Sequence, residues 1–173
     1  MKKIMWAAVA LTLFAVTSRA QDVPKADVAV GYSYLHADNK LAGVSLNFNG
    51  FNGSADVNAN SWLGIAGDFG YYHTSVVGVG LNAESYTFGP RIFYRKSDRA
   101  VPFFETLFGG AHLNQGGGNA FAYALGGGAD VGISHSGKVG LRPEFDYVGL
   151  RQNGTTANTV RVSVGIVFHI GQK

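Results

Sequence analysis

The sequence predicts an all-β fold, an eight-stranded antiparallel up-and-down β-barrel, and three observations carry this prediction. Apolar and polar residues alternate in runs of about ten residues, the pattern of a strand whose two faces meet different surroundings. Glycine- and asparagine-rich segments divide the chain into eight such runs with short connections between them. After the first 20 residues, no run shows the period of a helix.

The beginning of the chain has the composition of a secretory signal peptide. A basic pair is followed by an apolar run, which ends at a small-x-small cleavage motif, Ser18-Arg19-Ala20. We therefore expect a signal peptide over residues 1–20 and a single barrel domain over residues 21–173. The sequence contains no cysteine, so neither a disulfide framework nor a lipid-modified cysteine is expected.

The charge balance depends on the signal peptide. Residues 1–20 hold three of the basic residues, so 14 − 3 = 11 basic residues face 11 acidic residues in the processed chain. This formal neutrality gives no indication of a nucleic-acid partner, although the full sequence has a basic isoelectric point.

The first four strands are predicted over residues 26–36, 43–57, 62–73 and 84–95. In the second strand the apolar positions change parity at Gly50, since Val44, Leu46 and Phe48 precede it and Phe51 follows. A shift of one residue at a glycine predicts a β-bulge. The connection after the third strand is apolar enough to extend that hairpin.

The fourth strand contains Pro90, which has no backbone N–H to donate, so we expect an irregular ladder at that position. The last four strands are predicted over residues 101–112, 120–133, 138–149 and 159–170. The final strand alternates most clearly, with valine, isoleucine and phenylalanine on one face. Arg161 and Ser163 lie on the other face, where Val167 is the only apolar exception.

Alternation alone does not say whether the apolar face points into a core or out into lipid. Lysines of the processed chain lie in connections, termini or strand ends, whereas the basic residues inside strands are Arg91, Arg142 and Arg161. Arginine suits partly buried pairing with carboxylates. Glycines on the polar face leave space in a narrow lumen, and aromatics near strand ends predict interfacial girdles. These features favour a transmembrane barrel over a soluble, lipocalin-like one.

Four segments, VAVGYSYL, WLGIAGDFGYYH, FGPRIFYR and VRVSVGIVFHIG, carry a resemblance that covers the processed chain. On them the chain resembles the small outer-membrane β-barrel family typified by the membrane domain of outer membrane protein A. The resemblance implies the bacterial outer membrane, contact with its lipids and a mostly filled lumen. We expect a monomer without a cofactor.

The end of the chain also resembles the carboxy-terminal signal read by the outer-membrane assembly machinery, which is therefore an expected partner. Ser163, Gly165, Phe168 and Ile170 occupy the places of that signal. The chain departs from the pattern in two ways: the last place holds isoleucine rather than an aromatic residue, and three residues follow it.

Charged residues on the polar faces are predicted to form a network in the lumen: Asp68, Arg91, Glu105, Asp130, Arg142, Glu144, Asp146 and Arg161. We favour a structural role for this network, in an outer-membrane protein with a structural or surface-interaction function. The alternatives are a narrow porin-like channel for ions or small solutes and, less favoured, a soluble exported barrel that binds an apolar ligand.

Two further groups of residues have side chains that occur in metal-binding or catalytic sites. His36, His73 and His112 end odd-numbered strands and so share one rim, where three imidazoles could bind zinc or copper. We favour three unrelated rim residues and predict no metal site. Ser134, His135 and Ser136 are neighbours in a turn but lack an orienting carboxylate, so no catalytic site is predicted and the chain is not expected to be an enzyme.

Overall fold

The computed structural model describes residues 23–39, 44–76, 78–97, 99–114, 118–134 and 136–171. Within them the chain forms eight strands: β1 (Ala26–Asn39), β2 (Val44–Asn58), β3 (Leu63–Val76), β4 (Val79–Phe93), β5 (Ala100–Leu113), β6 (Gly118–Gly132), β7 (Val139–Gln152) and β8 (Thr155–Ile170). The described residues include no helix long and apolar enough to span a membrane. The expected signal peptide, residues 1–20, lies outside the described residues.

The eight strands form a closed antiparallel barrel in which each strand pairs with its neighbours in sequence. Closure is made by β1 and β8, which pair from Ala26 and Ile170 to Asp38 and Asn158. The predicted barrel is therefore confirmed. The start of β1 and the end of β8 lie at one rim, which we call the terminal rim. The ends of β1, β3, β5 and β7 lie at the other rim, which we call the opposite rim.

The register sets the stagger of the strands. A row of directly paired residues that starts at Val28 returns to β1 at Asp38, ten positions further along (38 − 28 = 10): Val28, Ala55, Gly67, Phe88, Phe108, Tyr123, Gly149, Asn158, Asp38. A closed sheet with such a stagger must tilt its strands against the barrel axis, and eight strands leave a lumen that side chains can fill.

The two faces of each strand have opposite surroundings, and β8 shows this most clearly. Val162, Val164 and Ile166 point outward and are exposed, whereas Arg161 and Ser163 point inward and are buried. Val167, the apolar exception of the sequence pattern, is completely buried inside. Since the exposed outer face is apolar on every strand, the barrel has the surface of a protein dissolved in lipid.

The predicted bulge at Gly50 is wrong. Pairing between β1 and β2 continues without a break from Leu35 and Phe48 through Ser33 and Gly50. Phe48 consequently faces the lumen, where it is buried, because the inner surface toward the opposite rim is itself apolar. Gly50 serves a different purpose: a Cβ atom there would lie 2.8 Å from the Cα atom of Tyr72, so only glycine permits this approach.

Pro90 interrupts the ladder as expected, since Gly89 and Pro90 have no partner in the pairing of β4 with β5. The register is nevertheless the same on both sides of the gap. Pro143 produces a similar gap between β6 and β7. Both prolines are exposed on the outer face, and the side chains next to them in the lumen keep the regular spacing of the strand.

Most strands are longer than predicted, and the extensions lie toward the opposite rim. β3 and β4 continue to the pair Val76 and Val79, as the apolar connection indicated. β7 and β8 continue to Gln152 and Thr155, across a two-residue turn of Asn153 (φ 48°) and Gly154 (φ 82°). Two successive positive φ angles make this a type I′ turn, which matches the twist of a hairpin.

We expect Gly154→Ala to destabilise the barrel by about 1 kcal/mol, since an L-residue is strained at this φ angle. Urea titration of the protein folded in lipid vesicles measures the change. Gly67→Ala is the matched control, because a Cβ atom at this outward-facing glycine meets open space. Equal stability of the two variants would contradict the assigned turn.

Candidate functional site

The lumen holds a group of buried charged side chains that we call the ionic network: Asp56, Asp68, Arg91, Glu105, Asp130, Arg142, Glu144, Asp146 and Arg161. All eight charged residues predicted for the lumen are members, and each is at most 5% exposed. They come from seven strands, β2 to β8, so the network joins nearly the whole circumference.

Arg91 of β4 contacts three carboxylates. Its Nε atom donates to Glu105 Oε2 at 2.6 Å, and Nη1 donates to Asp56 Oδ2 at 2.7 Å. Nη2 lies 3.4 Å from Glu144 Oε1. The guanidinium also stands 4.4 Å from the ring centroid of Phe103. Ion pairs and an aromatic ring therefore hold this side chain from several directions.

Arg142 of β7 makes a two-point contact with Asp130, from Nε at 2.6 Å and from Nη2 at 2.8 Å. Its Nη1 atom donates to Asp56 Oδ2 at 2.9 Å, the same oxygen that Arg91 contacts. Asp56 thereby bridges two arginines from different sides of the barrel. The Phe103 ring, 5.1 Å from the Arg142 guanidinium, contacts both arginines as well.

Arg161 of β8 forms the third centre of the network. It donates to Asp146 Oδ2 at 2.8 Å and makes a short hydrogen bond to Asp68. Its Nη2 atom lies 3.9 Å from Glu105 Oε1, and neither atom has a hydrogen-bond partner. The two groups are therefore within ion-pair distance but beyond hydrogen-bond distance.

The ionic network holds more carboxylates than guanidinium groups. Six acidic residues surround three arginines, a formal charge of 3 − 6 = −3. One oxygen of each of four carboxylates has no hydrogen-bond partner: Asp56, Asp68, Glu105 and Asp146. These oxygens can accept hydrogen bonds from water or bind protons, so the lumen surface attracts cations rather than anions.

A second polar cluster closes the lumen at the terminal rim. Asp27 of β1 accepts a hydrogen bond from Asn58 at 2.8 Å and lies 2.6 Å from Nδ1 of His169 on β8. Arg95, from the connection after β4, donates to Asn58 at 2.8 Å and stacks 3.9 Å above Phe93. The cluster therefore ties the two strands that close the barrel to the connection on its other side.

Toward the opposite rim the lumen becomes apolar. Leu107, Ala124 and Val148 pack against one another, with Phe48 and Tyr72 also buried on the inner face. Each of the five is at most 8% exposed. An ion that crossed the barrel would therefore meet the ionic network and then an apolar segment in series.

Sequence reasoning missed Asp56 and the cluster at the terminal rim. The signal for Asp56 was present, because it alternates along the strand with the apolar residues Ala55 and Val57. Its contacts had no such signal, because Arg91 and Arg142 are 35 and 86 residues away. The inward parity of Asp27 and His169 was likewise readable, whereas their contact depends on barrel closure.

The three rim histidines lie on the outer face at the opposite rim, each opposite an asparagine on the next strand. The Nδ1 atoms of His36, His73 and His112 are 2.6–2.7 Å from the amide oxygens of their partners, Asn47, Asn82 and Asn119. An amide oxygen only accepts, so each Nδ1 atom donates. Across the described residues no group of three or more metal-ligating side chains occurs.

These pairs belong to a belt of polar side chains that we call the outer ring: His36, Asn47, Asn49, His73, Asn82, Glu84, His112 and Asn119. Asn49 is paired with His73, and Glu84 with His112, so the belt is continuous across six strands. The hydroxyl group of Tyr32 donates to Asn49 at 2.5 Å, which joins the belt to the aromatic residues below it.

The remaining predicted sites are placed as follows. Ser163 is buried and donates to Glu144 at 3.1 Å, while Phe168 and Ile170 are exposed on the outer face. Gly165 lies opposite Gly31, where a side chain would collide with the neighbouring backbone. Ser134 and Ser136 hydrogen-bond to each other at 2.9 Å, and His135 lies outside the described residues.

Comparison with known proteins gives a family match and several similar folds. The family model described as "Outer membrane protein beta-barrel domain" matches residues 6–168. No curated protein matches the sequence. The fold is similar to Neisserial surface protein A (TM-score 0.68, 14% identity, 84% of this chain and 97% of that chain).

Two further solved structures are similar in fold. One is Ail, the attachment invasion locus protein of Yersinia pestis (TM-score 0.54, 16% identity, 84% of this chain and 99% of that one). The other is the N-terminal β-barrel domain of Pseudomonas aeruginosa OprF (TM-score 0.50, 14% identity, 84% and 98%). The soluble alternative is excluded, and the chain belongs to the outer membrane protein β-barrel domain family of the bacterial outer membrane.

Proposed function

We propose that the protein is a closed outer-membrane barrel with a structural or surface-interaction role, and that it neither conducts ions steadily nor catalyses a reaction. The observation that carries the proposal is the cross-barrel ionic network centred on Asp56, Arg91 and Arg142, which leaves these side chains inaccessible to solvent. Opening a path through it would separate buried ion pairs, which costs several kcal/mol for each pair.

The apolar segment strengthens the proposal, because it obstructs the lumen independently of the charges. Leu107 and Ala122 are completely buried, so apolar side chains fill the lumen at this level. A constriction lined by apolar side chains loses water and excludes ions even where a narrow gap exists. Two different barriers in series thus favour a closed barrel.

A narrow porin-like channel is the second candidate, and the excess of carboxylates favours it. Four carboxylate oxygens without partners could solvate a cation if the lumen widened. Such a channel would select cations over anions. The two candidates differ in what happens when the ionic network alone is broken.

The surface-interaction part of the proposal rests on the opposite rim. In the β3–β4 and β7–β8 hairpins, the strands stay paired up to the turn that joins them. Arg151, close to the β7–β8 turn, is exposed. The outer ring gives this end a surface rich in neutral hydrogen-bonding groups. We propose that this rim faces outward from the cell and that both chain ends face the periplasm.

Biogenesis completes the proposal. We propose that residues 1–20 direct export and that the assembly machinery binds the end of β8 through Ser163, Gly165, Phe168 and Ile170. Phe168 and Ile170 are exposed on the lipid-facing surface, so another protein can contact them before the barrel closes. We expect the finished barrel to be monomeric and surrounded by outer-membrane lipids.

Planar-bilayer recordings of Arg142→Ala separate the two candidates. For a closed barrel, the wild type and this variant show no steady conductance, because the apolar segment remains intact. Arg142→Ala combined with Leu107→Ala removes both barriers, and we expect it to conduct. A rise in conductance with Arg142→Ala alone would support the channel; Arg151→Ala, outside the lumen, is the control.

We expect Arg142→Ala to lower the free energy of unfolding by about 3–5 kcal/mol, since it leaves Asp56 and Asp130 as buried charges without this partner. Urea titration in lipid vesicles gives the value. Adding Asp130→Asn should restore part of the loss by removing one of those charges. Arg151→Ala, on the exposed surface, is expected to change stability by less than about 0.5 kcal/mol.

Phe168→Ala tests the assembly signal. We expect less folded protein in outer membranes, measured by heat-modifiable migration on gels, while folding of the purified chain into vesicles stays unchanged. Phe121→Ala is the matched control, since Phe121 is a similarly exposed phenylalanine (52% against 44%) far from the chain end. Equal losses in the two variants would show that Phe168 contributes only apolar surface.

A further inference from the structure

Four basic side chains surround the terminal rim, and we call them the basic collar: Lys25, Lys96, Arg99 and Lys138. Lys25 precedes β1, Lys96 and Arg99 lie in the connection between β4 and β5, and Lys138 precedes β7. All four are exposed. They occupy three separated places on the rim, so the positive charge is distributed around the barrel end.

The basic collar has no ion-pair partner among the described residues. Asp27, the nearest acidic residue in sequence to Lys25, is buried and engaged with Asn58 and His169. Asp98 lies between Lys96 and Arg99 in the sequence but falls outside the described residues. The carboxylates of the ionic network are buried in the lumen and contact its three arginines, and none of them forms an ion pair with a described residue of the collar.

Neighbouring side chains show how deep the collar lies in a membrane. The Lys96 Nζ atom is 5.2 Å from the ring centroid of Tyr94, which is exposed, and Trp62 is exposed in the turn between β2 and β3. Tyrosine and tryptophan concentrate where hydrocarbon meets headgroups. Directly beyond them the outer face is apolar, with Val57, Ile92 and Ile170 exposed.

The two ends of the barrel differ in chemistry. The outer ring at the opposite rim consists of histidine and asparagine with a single glutamate, and Arg151 is the one exposed lysine or arginine that the structure describes at that end. The collar at the terminal rim holds four exposed lysine or arginine side chains. Neutral hydrogen-bonding groups and cations suit different headgroups. The asymmetry is therefore a property of the surface that meets each leaflet, independent of whether the lumen conducts.

We propose that the basic collar binds the phosphate groups of anionic phospholipids in the leaflet that meets the terminal rim. Distribution around the circumference fits a ring of lipids better than one protein partner, which would need a single contiguous patch. The depth set by Tyr94 and Trp62 places the cations at the level of lipid phosphates. Long basic side chains can reach that level while their stems stay closer to the barrel, and the stem of Lys25 lies next to Gly171 at the end of β8.

Trp62 provides an internal probe, because it is the only tryptophan after residue 20. The processed protein is folded into bilayers of phosphatidylcholine and phosphatidylglycerol in which one lipid carries brominated chains, which quench tryptophan fluorescence. Comparing quenching by the two brominated lipids gives the local enrichment of phosphatidylglycerol. We expect clear enrichment at low salt that declines as sodium chloride is added.

The test variant is Lys96→Gln combined with Arg99→Gln and Lys138→Gln. A basic residue close to an anionic surface contributes a factor of about five in lipid partitioning, so we expect the enrichment to fall at least about fivefold. His36→Gln with His73→Gln and His112→Gln, at the opposite rim, should keep the wild-type value. If the triple variant does not fold, the single substitutions are measured instead.

Absence of phosphatidylglycerol enrichment in the wild type, or its persistence in the collar variant, would overturn the proposal. If Lys96→Gln and Lys138→Gln each remove part of the phosphatidylglycerol enrichment, and Lys96→Arg keeps the wild-type enrichment, the collar consists of independent cationic contacts, as proposed. A collar that instead captured soluble acidic peptides or cell-wall fragments, with no lipid preference, would identify a different partner and would also refute the proposal.

Discussion

Hydrocarbon offers no hydrogen-bond partner to a peptide group, and this constraint governs the whole molecule. A sheet in that environment must pair every strand on both sides, so β8 pairs with β1 and no edge remains. The outer face of the sheet must then be apolar, and the polar and charged side chains must lie on the inner face. Alternation along the strands, the closed topology and the concentration of charge in the lumen are three consequences of this one requirement.

The lumen of this small barrel holds the polar and charged side chains that the apolar outer face excludes. Eight tilted strands leave room for side chains but little else, and Gly126 and Gly128 leave space for the charged side chains of Asp146 and Glu144. Arginine fits such a lumen because one guanidinium can satisfy two or three carboxylates at fixed angles. The result is a polar interior that stabilises the barrel through shared partners rather than through isolated ion pairs.

Much of the fold was readable from the sequence, because lipid imposes a strict contrast between the two faces. Strand 8 is the clearest case, with every outward position assigned correctly and Val167 identified as the exception. The contrast disappears where the lumen is apolar, and there the parity of β2 was misassigned at Phe48. The predicted strand ends were wrong for a related reason. Near the rim, as at Gln152 and Thr155, apolar and polar residues no longer alternate, so the sequence does not show that the strand continues.

The bridging role of Asp56 has a consequence for how the barrel forms. Its carboxylate joins Arg91 on β4 to Arg142 on β7, so an intermediate that lacks the later strands retains carboxylates without their partners. Such an intermediate is poorly suited to the bilayer, whereas the complete barrel satisfies these groups together. Because the contacts of Asp56 with both arginines form only when the sheet is nearly complete, the ionic network favours insertion of the barrel as one cooperative unit.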